Sequence, residues 1–349
     1  MPRRLYPAIV TIQGESRTGR DETRHLVASP SMTEQRKNRV LPPGFGKLGR
    51  RWARAKEKLQ EQNSVQRWVA RKMLPLTQTL GFSICGDHFY EPIPNVDLIR
   101  TTYVERTRTL RGFCPEPAWA NDATNVLSTF LPEYLSSETY LKYGKKNWFY
   151  SGWDAAYYYC LIRSRKPRSI TEIGGGFSTS IAGDALRQNA REGRPGEIVS
   201  IDPYFRGNTS TSFARIIKSE LQKLDVEQRR SLLSADILFI DSSHVLKWGS
   251  DVLHLFEAWI PYVPVHTLVH VHDIFTPFDY PKQWMVQAKR FWNEQYILES
   301  FLALNNSFRI LCPIYFLASM GQFKAVAERL GHPELTAATG AAMWLERVA

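Results

Sequence analysis

From residue 169 onward, short apolar runs alternate with longer polar stretches, and this alternation limits the possible folds more than any other feature of the sequence. It predicts strands over 169–173, 197–202, 236–241, 267–272 and 308–316, and helices over 178–191, 213–224, 252–259 and 283–304. Strands that are joined by helical crossovers pair in parallel. We therefore expect an α/β fold, with a doubly wound, mostly parallel sheet that has helices on both faces and is preceded by a helical N-terminal extension.

The basic charge of the chain is concentrated at its N-terminal end. Of 45 Lys and Arg and 34 Asp and Glu residues, 17 basic and 6 acidic ones lie in residues 1–74, so 28 of each remain in the rest. A groove that follows a nucleic-acid backbone needs an excess of basic side chains. The balanced remainder therefore argues against a nucleic-acid partner for the α/β region.

Composition divides the chain into four segments. We expect a basic, disordered tail over 1–46, a helical lead-in or cap over 47–150, the α/β domain over 151–320 and a helical C-terminal tail over 321–349. Within the lead-in, residues 47–74 have the pattern of a basic amphipathic helix that Pro75 would end. Such a helix either contacts a membrane surface or a partner, or packs on its own domain. No apolar run reaches the roughly 18 residues of a membrane helix, and we expect a cytoplasmic protein.

A glycine-rich turn joins the first predicted strand to its helix. Its sequence is Glu-Ile-Gly-Gly-Gly-Phe-Ser-Thr, over 172–179. Glycines let a ligand approach the backbone closely at the carboxyl end of a strand, although such turns also close purely structural strand-helix units. The candidate cofactor-binding residues in this turn are Glu172, Gly174, Gly175, Gly176, Ser178 and Thr179.

A carboxylate ends the next strand, 26 residues beyond Gly176. Asp202 is placed to accept hydrogen bonds from the ribose hydroxyls of a bound nucleoside, with capping of a following helix as the alternative. A nicotinamide dinucleotide would require Gly or Ala where Thr179 stands, and it has no need of Glu172. Both differences favour S-adenosylmethionine as the cofactor.

Two further strands bring polar side chains to the same edge of the sheet. Asp241 and His244 follow one strand, and His272 and Asp273 follow the next. Ligands bind at the carboxyl edge in open α/β sheets. We interpret Asp241 and His244 as candidate catalytic residues, with His244 as the general base and Asp241 also facing the cofactor. The alternative for His244 is a structural, hydrogen-bonded histidine.

Three motifs carry a family resemblance: the glycine turn, Phe-Ile-Asp-Ser-Ser-His over 239–244, and His-Asp-Ile-Phe-Thr-Pro-Phe-Asp-Tyr-Pro over 272–281. With them, residues 89–316 resemble a bacterial branch of the Rossmann-like, class I S-adenosylmethionine-dependent methyltransferases, which is similar to the sugar and macrolide O-methyltransferases. The resemblance implies methyl transfer to a hydroxyl of a small molecule, sugar or glycan. It also implies that the histidine matching His244 is the base.

The resemblance further implies a divalent metal, because metal-dependent relatives hold Mg²⁺ on the residues that match Asp241, His272 and Asp273. Magnesium prefers oxygen ligands, so the imidazole of His272 favours a softer ion or no metal. Two other functions stay open: an inactive Rossmann-like binding protein that acts through its basic N-terminal region, and an NAD-dependent oxidoreductase. The aromatic loop over 275–284 is expected to form a wall for the acceptor or a lid, and Trp284, Trp292 and Tyr296 are expected in the core.

Overall fold

The computed structural model describes residues 64–83, 91–104, 107–143, 149–205, 214–333, 335 and 339–349. The chain divides into two units, residues 1–86 and 87–349. The predicted tail over 1–46 and the first part of the basic amphipathic helix, over 47–63, lie outside the described residues. None of the helices in the described ranges combines the length and the apolar character that are needed to cross a membrane.

In the first unit the described element is helix α1, Ser64–Thr79. The prediction that Pro75 ends this helix is wrong, since the helix continues for another turn. Proline lacks a backbone N–H and leaves a carbonyl of the preceding turn without its usual donor. The threonine hydroxyls after the proline donate to other carbonyls of the last turn, Thr77 Oγ1 to Leu74 and Thr79 Oγ1 to Pro75, each at 3.0 Å.

The second unit is built on a seven-stranded sheet with the order β3-β2-β1-β4-β5-β7-β6. Its strands are β1 Ser169–Ile173, β2 Glu197–Ile201, β3 Ala214–Ile217, β4 Ile237–Ile240, β5 Leu268–Val271, β6 Phe308–Pro313 and β7 Met343–Arg347. The pairs among β1 to β5 are parallel, and β7 is antiparallel to both β5 and β6. The predicted doubly wound, mostly parallel α/β sheet is confirmed.

Helices precede and connect these strands. They are α2 Val96–Thr102, α3 Pro117–Leu135, α4 Glu138–Tyr143, α5 Gly152–Arg165, α6 Phe177–Arg191, α7 Val226–Leu233, α8 Asp251–Ala258, α9 Glu294–Ala303, α10 Ile314–Ser319 and α11 Lys324–Arg329. Helix α5 is buried along most of its length and packs between α3 and α6. Its sequence is apolar and aromatic around much of its circumference, which is typical of a helix enclosed by other elements.

The strand order reverses between β1 and β4, because β2 and β3 extend the sheet on one side and β5 on the other. Right-handed crossovers that leave in opposite directions from this point open a crevice at the carboxyl ends of the two strands. The glycine turn after β1 and the segment after β4 border that crevice. This topology positions the candidate site.

Four sequence-based expectations require correction. Residues 214–217, expected in a helix over 213–224, form β3, because Ile216 and Ile217 pair with β2. The long helix expected over 283–304 is a π-turn at Gln283–Gln287, an irregular segment and α9. The strand expected over 308–316 ends at Pro313, where α10 begins. The C-terminal segment, expected to be helical, also contributes β7, which inserts between β5 and β6.

Candidate active site

The glycine turn packs directly against the end of β4. Gly174 has a φ of +83°, and a Cβ added there would lie 2.2 Å from the carbonyl oxygen of Asp241. A Cβ at Gly175 would lie 2.4 Å from Ser200 Oγ, whereas a Cβ at Gly176 would have no atom within 4 Å. The first two glycines therefore allow the backbone to pack closely, and the third leaves open space beside the turn.

Glu172 is fully buried beneath this turn. Ser178 Oγ donates to Glu172 Oε1 at 2.6 Å, the hydroxyl of Thr179 donates to the other oxygen, and the Gly176 amide donates to Thr179 Oγ1 at 3.0 Å. Burial raises the pKa of Glu172 to about 7, against the opposing effect of these hydroxyl donors. The structure thus brings Glu172, Ser178 and Thr179 together as a buried support for the turn.

Asp202 follows β2 and is half-buried. Its Oδ2 accepts a hydrogen bond from the Gly175 amide at 3.1 Å, and its Oδ1 accepts one from the Tyr204 amide at 2.7 Å. A carboxylate oxygen has more than one lone pair, so both oxygens can still accept a ligand hydroxyl. Asp202 fixes the glycine turn and also lines the crevice.

His244 lies after β4 in a left-handed backbone conformation, with a φ of +60°. Its ring is buried, and Nδ1 lies 2.9 Å from Oε2 of the buried Glu294. Ser242 Oγ donates to the other oxygen of Glu294 at 2.9 Å. The amides of Asn293 and Glu294 both donate to the His244 carbonyl, at 3.0 and 3.2 Å. The start of α9 therefore holds both the ring and the backbone of His244.

The second ring nitrogen of His244 faces two carboxylates. Nε2 lies 3.4 Å from Asp241 Oδ1 and 3.4 Å from Asp273 Oδ2. Burial alone would lower the pKa of His244, but hydrogen bonds with Asp241 and Glu294 and the charges of Glu294 and Asp273 outweigh it and raise the pKa to about 10. The imidazole is therefore positively charged at neutral pH in this state of the protein.

His272 lies across the same carboxylates. Its Nδ1 is 3.4 Å from Asp241 Oδ1 and 3.7 Å from Asp273 Oδ2, and its Nε2 is 3.6 Å from Asp154 Oδ2. Burial opposes its protonation, yet the charges of Asp273 and Asp241 raise its pKa well above the ordinary value. Burial raises the pKa of Asp273, whereas the pKa of Asp241 is lowered because His272 and His244 outweigh burial. The structure thus unites the four polar residues that two strands were expected to bring together.

Three neighbours of this cluster were missed in the sequence. Glu294 lies 50 residues beyond His244, and Asp154 lies in the first turn of α5, where acidic residues are common for reasons of helix capping alone. Trp292, expected in the core, is half-buried with its ring centroid 4.3 Å from that of His244. No sequence signal distinguishes these residues, because their roles depend on contacts between distant segments.

The candidate metal ligands Asp241, His272 and Asp273 lie in this cluster. In the described part of the chain, however, no group of three or more His, Cys, Asp and Glu side chains is arranged to hold a metal ion. The imidazoles and carboxylates pair with one another instead. The divalent metal stays a prediction.

Comparison with known proteins supports the assignment of the domain. Residues 171–274, which hold the glycine turn, Asp202 and the His244 cluster, match the family model described as a methyltransferase domain. This segment of the chain is therefore similar to methyltransferase domains. No curated protein sequence matches the chain significantly.

Three solved structures are similar at low identity. The methyltransferase PaMTH1 of Podospora anserina, solved with SAH, is 12% identical over 68% of this chain and 99% of its own, with a TM-score of 0.36. The O-methyltransferase TomG of Streptomyces achromogenes, solved with SAM, is 15% identical over 67% and 92%, with a TM-score of 0.35. CalS11, a TDP-rhamnose 3'-O-methyltransferase, is 16% identical over 54% and 92%, with a TM-score of 0.28. Scores this low carry no weight for function.

Proposed function

We propose that the protein transfers a methyl group from S-adenosylmethionine to a hydroxyl of a small molecule or glycan. One observation carries the proposal: His244 is held through Nδ1 by Glu294, while its Nε2 lies beside Asp241, the residue whose carbonyl packs on Gly174 of the glycine turn. A side chain that can accept a proton is thereby fixed next to the turn where the cofactor is expected.

The cofactor would occupy the crevice between the ends of β1 and β4. Open space beside Gly176 allows the methionine part of the ligand to approach the backbone, and Asp202 would accept hydrogen bonds from the ribose hydroxyls. Asp241 would face the positively charged sulfonium. The glycine turn would be kept in place by the buried hydrogen bonds among Glu172, Ser178 and Thr179.

The reaction needs an acceptor oxygen in line with the sulfur and the methyl carbon. The oxygen–carbon bond forms as the carbon–sulfur bond breaks, and the acceptor hydroxyl passes its proton to His244 Nε2. Alignment contributes to rate because the reactants are already oriented, and a placed base typically contributes about 10²- to 10⁴-fold. His244 must first lose the proton that it holds in the resting state. The positive sulfonium near Asp241 would promote this loss by lowering the pKa of His244.

The proposal is tested by titrating the protein with S-adenosylmethionine and with NAD, and then by following transfer of a labelled methyl group to a panel of hydroxyl-bearing sugars and phenols. We expect the protein to bind S-adenosylmethionine but not NAD. The label should then be recovered in an alkali-stable ether product. Binding of NAD without S-adenosylmethionine would overturn the proposal. Label recovered in an amine or thiol product would overturn the hydroxyl assignment.

A further inference from the structure

The segment between the π-turn and α9 places an arginine beside Trp292, the tryptophan that contacts His244. Residues 288–293 have no regular secondary structure, and Lys289 has a left-handed φ of +54°. The π-turn and this break replace the continuous helix that the sequence suggests, and such interruptions are frequent at functional sites. The Arg290 amide donates to the Trp284 carbonyl at 2.9 Å, which fixes the backbone at this position.

The guanidinium of Arg290 contacts two tryptophan rings, which are nearly perpendicular to each other. Its guanidinium carbon lies 4.7 Å from the ring centroid of Trp284 and 5.0 Å from that of Trp292. The ring of Trp292 in turn lies 4.3 Å from that of His244. These distances limit the separation between the guanidinium carbon and the His244 ring centroid to about 9 Å. Trp292 thus contacts both groups, and an acceptor that touches both would need to extend over no more than about this distance.

Arg290 differs in its charge partners from another arginine near the site. Among the residues that the structure describes, no ion pair joins Arg290 to a carboxylate, and its side chain is exposed. Arg108, by contrast, donates to both oxygens of Glu299, at 2.8 and 2.5 Å. Stacking on aromatic rings restrains a guanidinium while leaving the N–H donors at its edge free for a planar anion.

The acidic side chains around His244 cannot bind an anion. Asp241, Asp273 and Glu294 are negatively charged or acidic groups that already pair with His244 and His272. Lys289, next to Arg290 in the chain, is exposed and adds a second positive charge close to it. An acceptor with a hydroxyl at one end and an oxyanion at the other matches this charge pattern, whereas a neutral acceptor would leave Arg290 unpaired.

Resting on the proposed function, we propose that Arg290, held against the rings of Trp284 and Trp292, selects acceptors that carry an oxyanion, either a phosphate or a carboxylate, in addition to the hydroxyl that is methylated. Trp292 separates the two ends of the acceptor, with the hydroxyl at His244 and the oxyanion at Arg290. A guanidinium forms two parallel hydrogen bonds with either oxyanion. Loss of charge-assisted hydrogen bonds of this kind weakens binding by about 10- to 100-fold.

The test uses the full-length protein saturated with S-adenosylhomocysteine, the product of the cofactor, so that catalysis is not required. Calorimetric titrations compare three matched sugars: glucose, glucuronate and glucose 6-phosphate. We expect at least one of the two anionic sugars to bind about 10-fold or more tightly than glucose. Glucuronate and glucose 6-phosphate distinguish a carboxylate from a phosphate preference.

Variants assign the preference to the arginine. Arg290→Ala is expected to abolish the advantage of the anionic sugar, and Arg290→Lys to retain part of it, because a lysine keeps the charge but not the paired donors. The control is Arg191→Ala, an exposed arginine at the end of α6. The control should leave the preference unchanged.

Three results would overturn the inference: equal binding of glucose and the anionic sugars, no binding of either anionic sugar at millimolar concentration, or a preference that survives in Arg290→Ala. Failure of the proposed function is distinguishable, since it would appear as failure of the wild-type protein to bind S-adenosylhomocysteine. In that case the cofactor assignment is wrong before any sugar is added. Normal cofactor binding without an anion preference would contradict the role of Arg290 alone.

Discussion

Strand β4 carries an aspartate at each end, and the two aspartates have different surroundings. At the amino edge of the sheet, Asp236 is exposed, and its Oδ2 accepts hydrogen bonds from the amides of Arg168 and Ser169, at 2.6 and 3.2 Å. At the carboxyl edge, Asp241 lies 3.4 Å from Nε2 of His244 and 3.4 Å from Nδ1 of His272. One carboxylate connects two backbone segments, whereas the other lies among side chains that can exchange protons.

Left-handed backbone occurs at both edges, since at the amino edge Lys166 precedes β1 and His266 precedes β5, with φ values of +49° and +73°. His244 and Asp273, both at the carboxyl edge, have left-handed φ values of +60° and +55°. Non-glycine residues in this region cost about 1–3 kcal/mol each and persist where the surrounding structure holds them. Because strained backbone lies at both edges, the mutually paired carboxylates and imidazoles, and not the strain, distinguish the carboxyl edge.

The largest effect is expected from His244→Gln. If His244 accepts the proton of the acceptor, its loss should lower kcat by about 10²- to 10⁴-fold while the affinity for S-adenosylmethionine stays close to that of the wild type. Initial rates of labelled methyl transfer and calorimetric titration measure the two quantities. The matched control is His254→Gln, which changes a half-buried histidine of α8 outside the cluster.

Removal of His244 leaves Glu294, Asp241 and Asp273 without their shared partner, so the folded state must be checked by thermal unfolding. A variant that remains folded and binds cofactor but retains its kcat would exclude His244 as the base. Equal losses of kcat in the His244 and His254 variants would remove the distinction between the cluster and its surroundings.

A pair of glycines tests the close packing at the carboxyl edge. Gly174→Ala places a Cβ 2.2 Å from the Asp241 carbonyl oxygen at a φ of +83°, whereas Gly193→Ala, after α6, has a φ of +75° and no atom within 4 Å of the new Cβ. Both variants carry the backbone penalty of roughly 1–2 kcal/mol. Only Gly174→Ala adds a clash with the backbone, so it should lose more free energy of unfolding and also lose cofactor binding.

Denaturant unfolding and titration with S-adenosylmethionine measure these effects. Equal stability losses for the two variants would show that β1 and β4 separate easily, and that the close contact at Gly174 is not required by the fold. Wild-type affinity in Gly174→Ala would place the cofactor elsewhere.

The comparison of the two edges also shows what the sequence can predict. Strands β1, β2, β4 and β5 were predictable because strands buried on both faces are nearly continuous apolar runs, and the carboxyl edge followed from their order in the chain. The positions of Asp241, His244, His272 and Asp273 followed from strand ends. The local sequence pattern was sufficient to predict a feature wherever the contacts behind it lie within one strand-helix unit.

The remaining features depend on contacts between distant segments. Strand β7 begins 72 residues beyond the end of β5, yet it pairs with β5. No local sequence pattern predicts that β7 inserts between β5 and β6. The break before α9 depends on contacts with His244, to which the amides of Asn293 and Glu294 donate. Glu294 was therefore predicted as an ordinary helical residue.

The pH dependence of stability offers a third test. Burial raises the folded-state pKa of Glu172 to about 7 from its ordinary value of 4.5. Between these two values Glu172 binds fewer protons in the unfolded chain than in the folded one, so its contribution to stability should fall as the pH rises from about 4.5 to 7 and then level off. A shift of this size corresponds to a loss on the order of 3 kcal/mol.

Glu172→Gln should remove this component of the pH profile, as measured by urea unfolding at a series of pH values. Glu197→Gln, which changes an exposed carboxylate at the amino-edge end of β2, is the control and should retain it. A difference between the wild-type and Glu172→Gln profiles that does not fall from pH 5 to 7 would contradict the raised pKa of Glu172 beneath the glycine turn.

The smallest effect is expected from Asp202→Asn, compared with Asp236→Asn at the opposite edge. Both substitutions remove the charge of a carboxylate that accepts backbone hydrogen bonds. Only Asp202 is expected to face the ribose, so Asp202→Asn should raise the Kd for S-adenosylmethionine by about 10-fold, through weaker hydrogen bonds to the ribose hydroxyls, without a comparable change in kcat. Asp236→Asn should change stability alone. Titration and initial rates separate these outcomes, and equal effects on Kd would mean that Asp202 acts on the cofactor only by holding Gly175. Because the amide retains one acceptor oxygen, a loss of binding far beyond 10-fold would instead indicate collapse of the turn, which the unfolding curve would reveal.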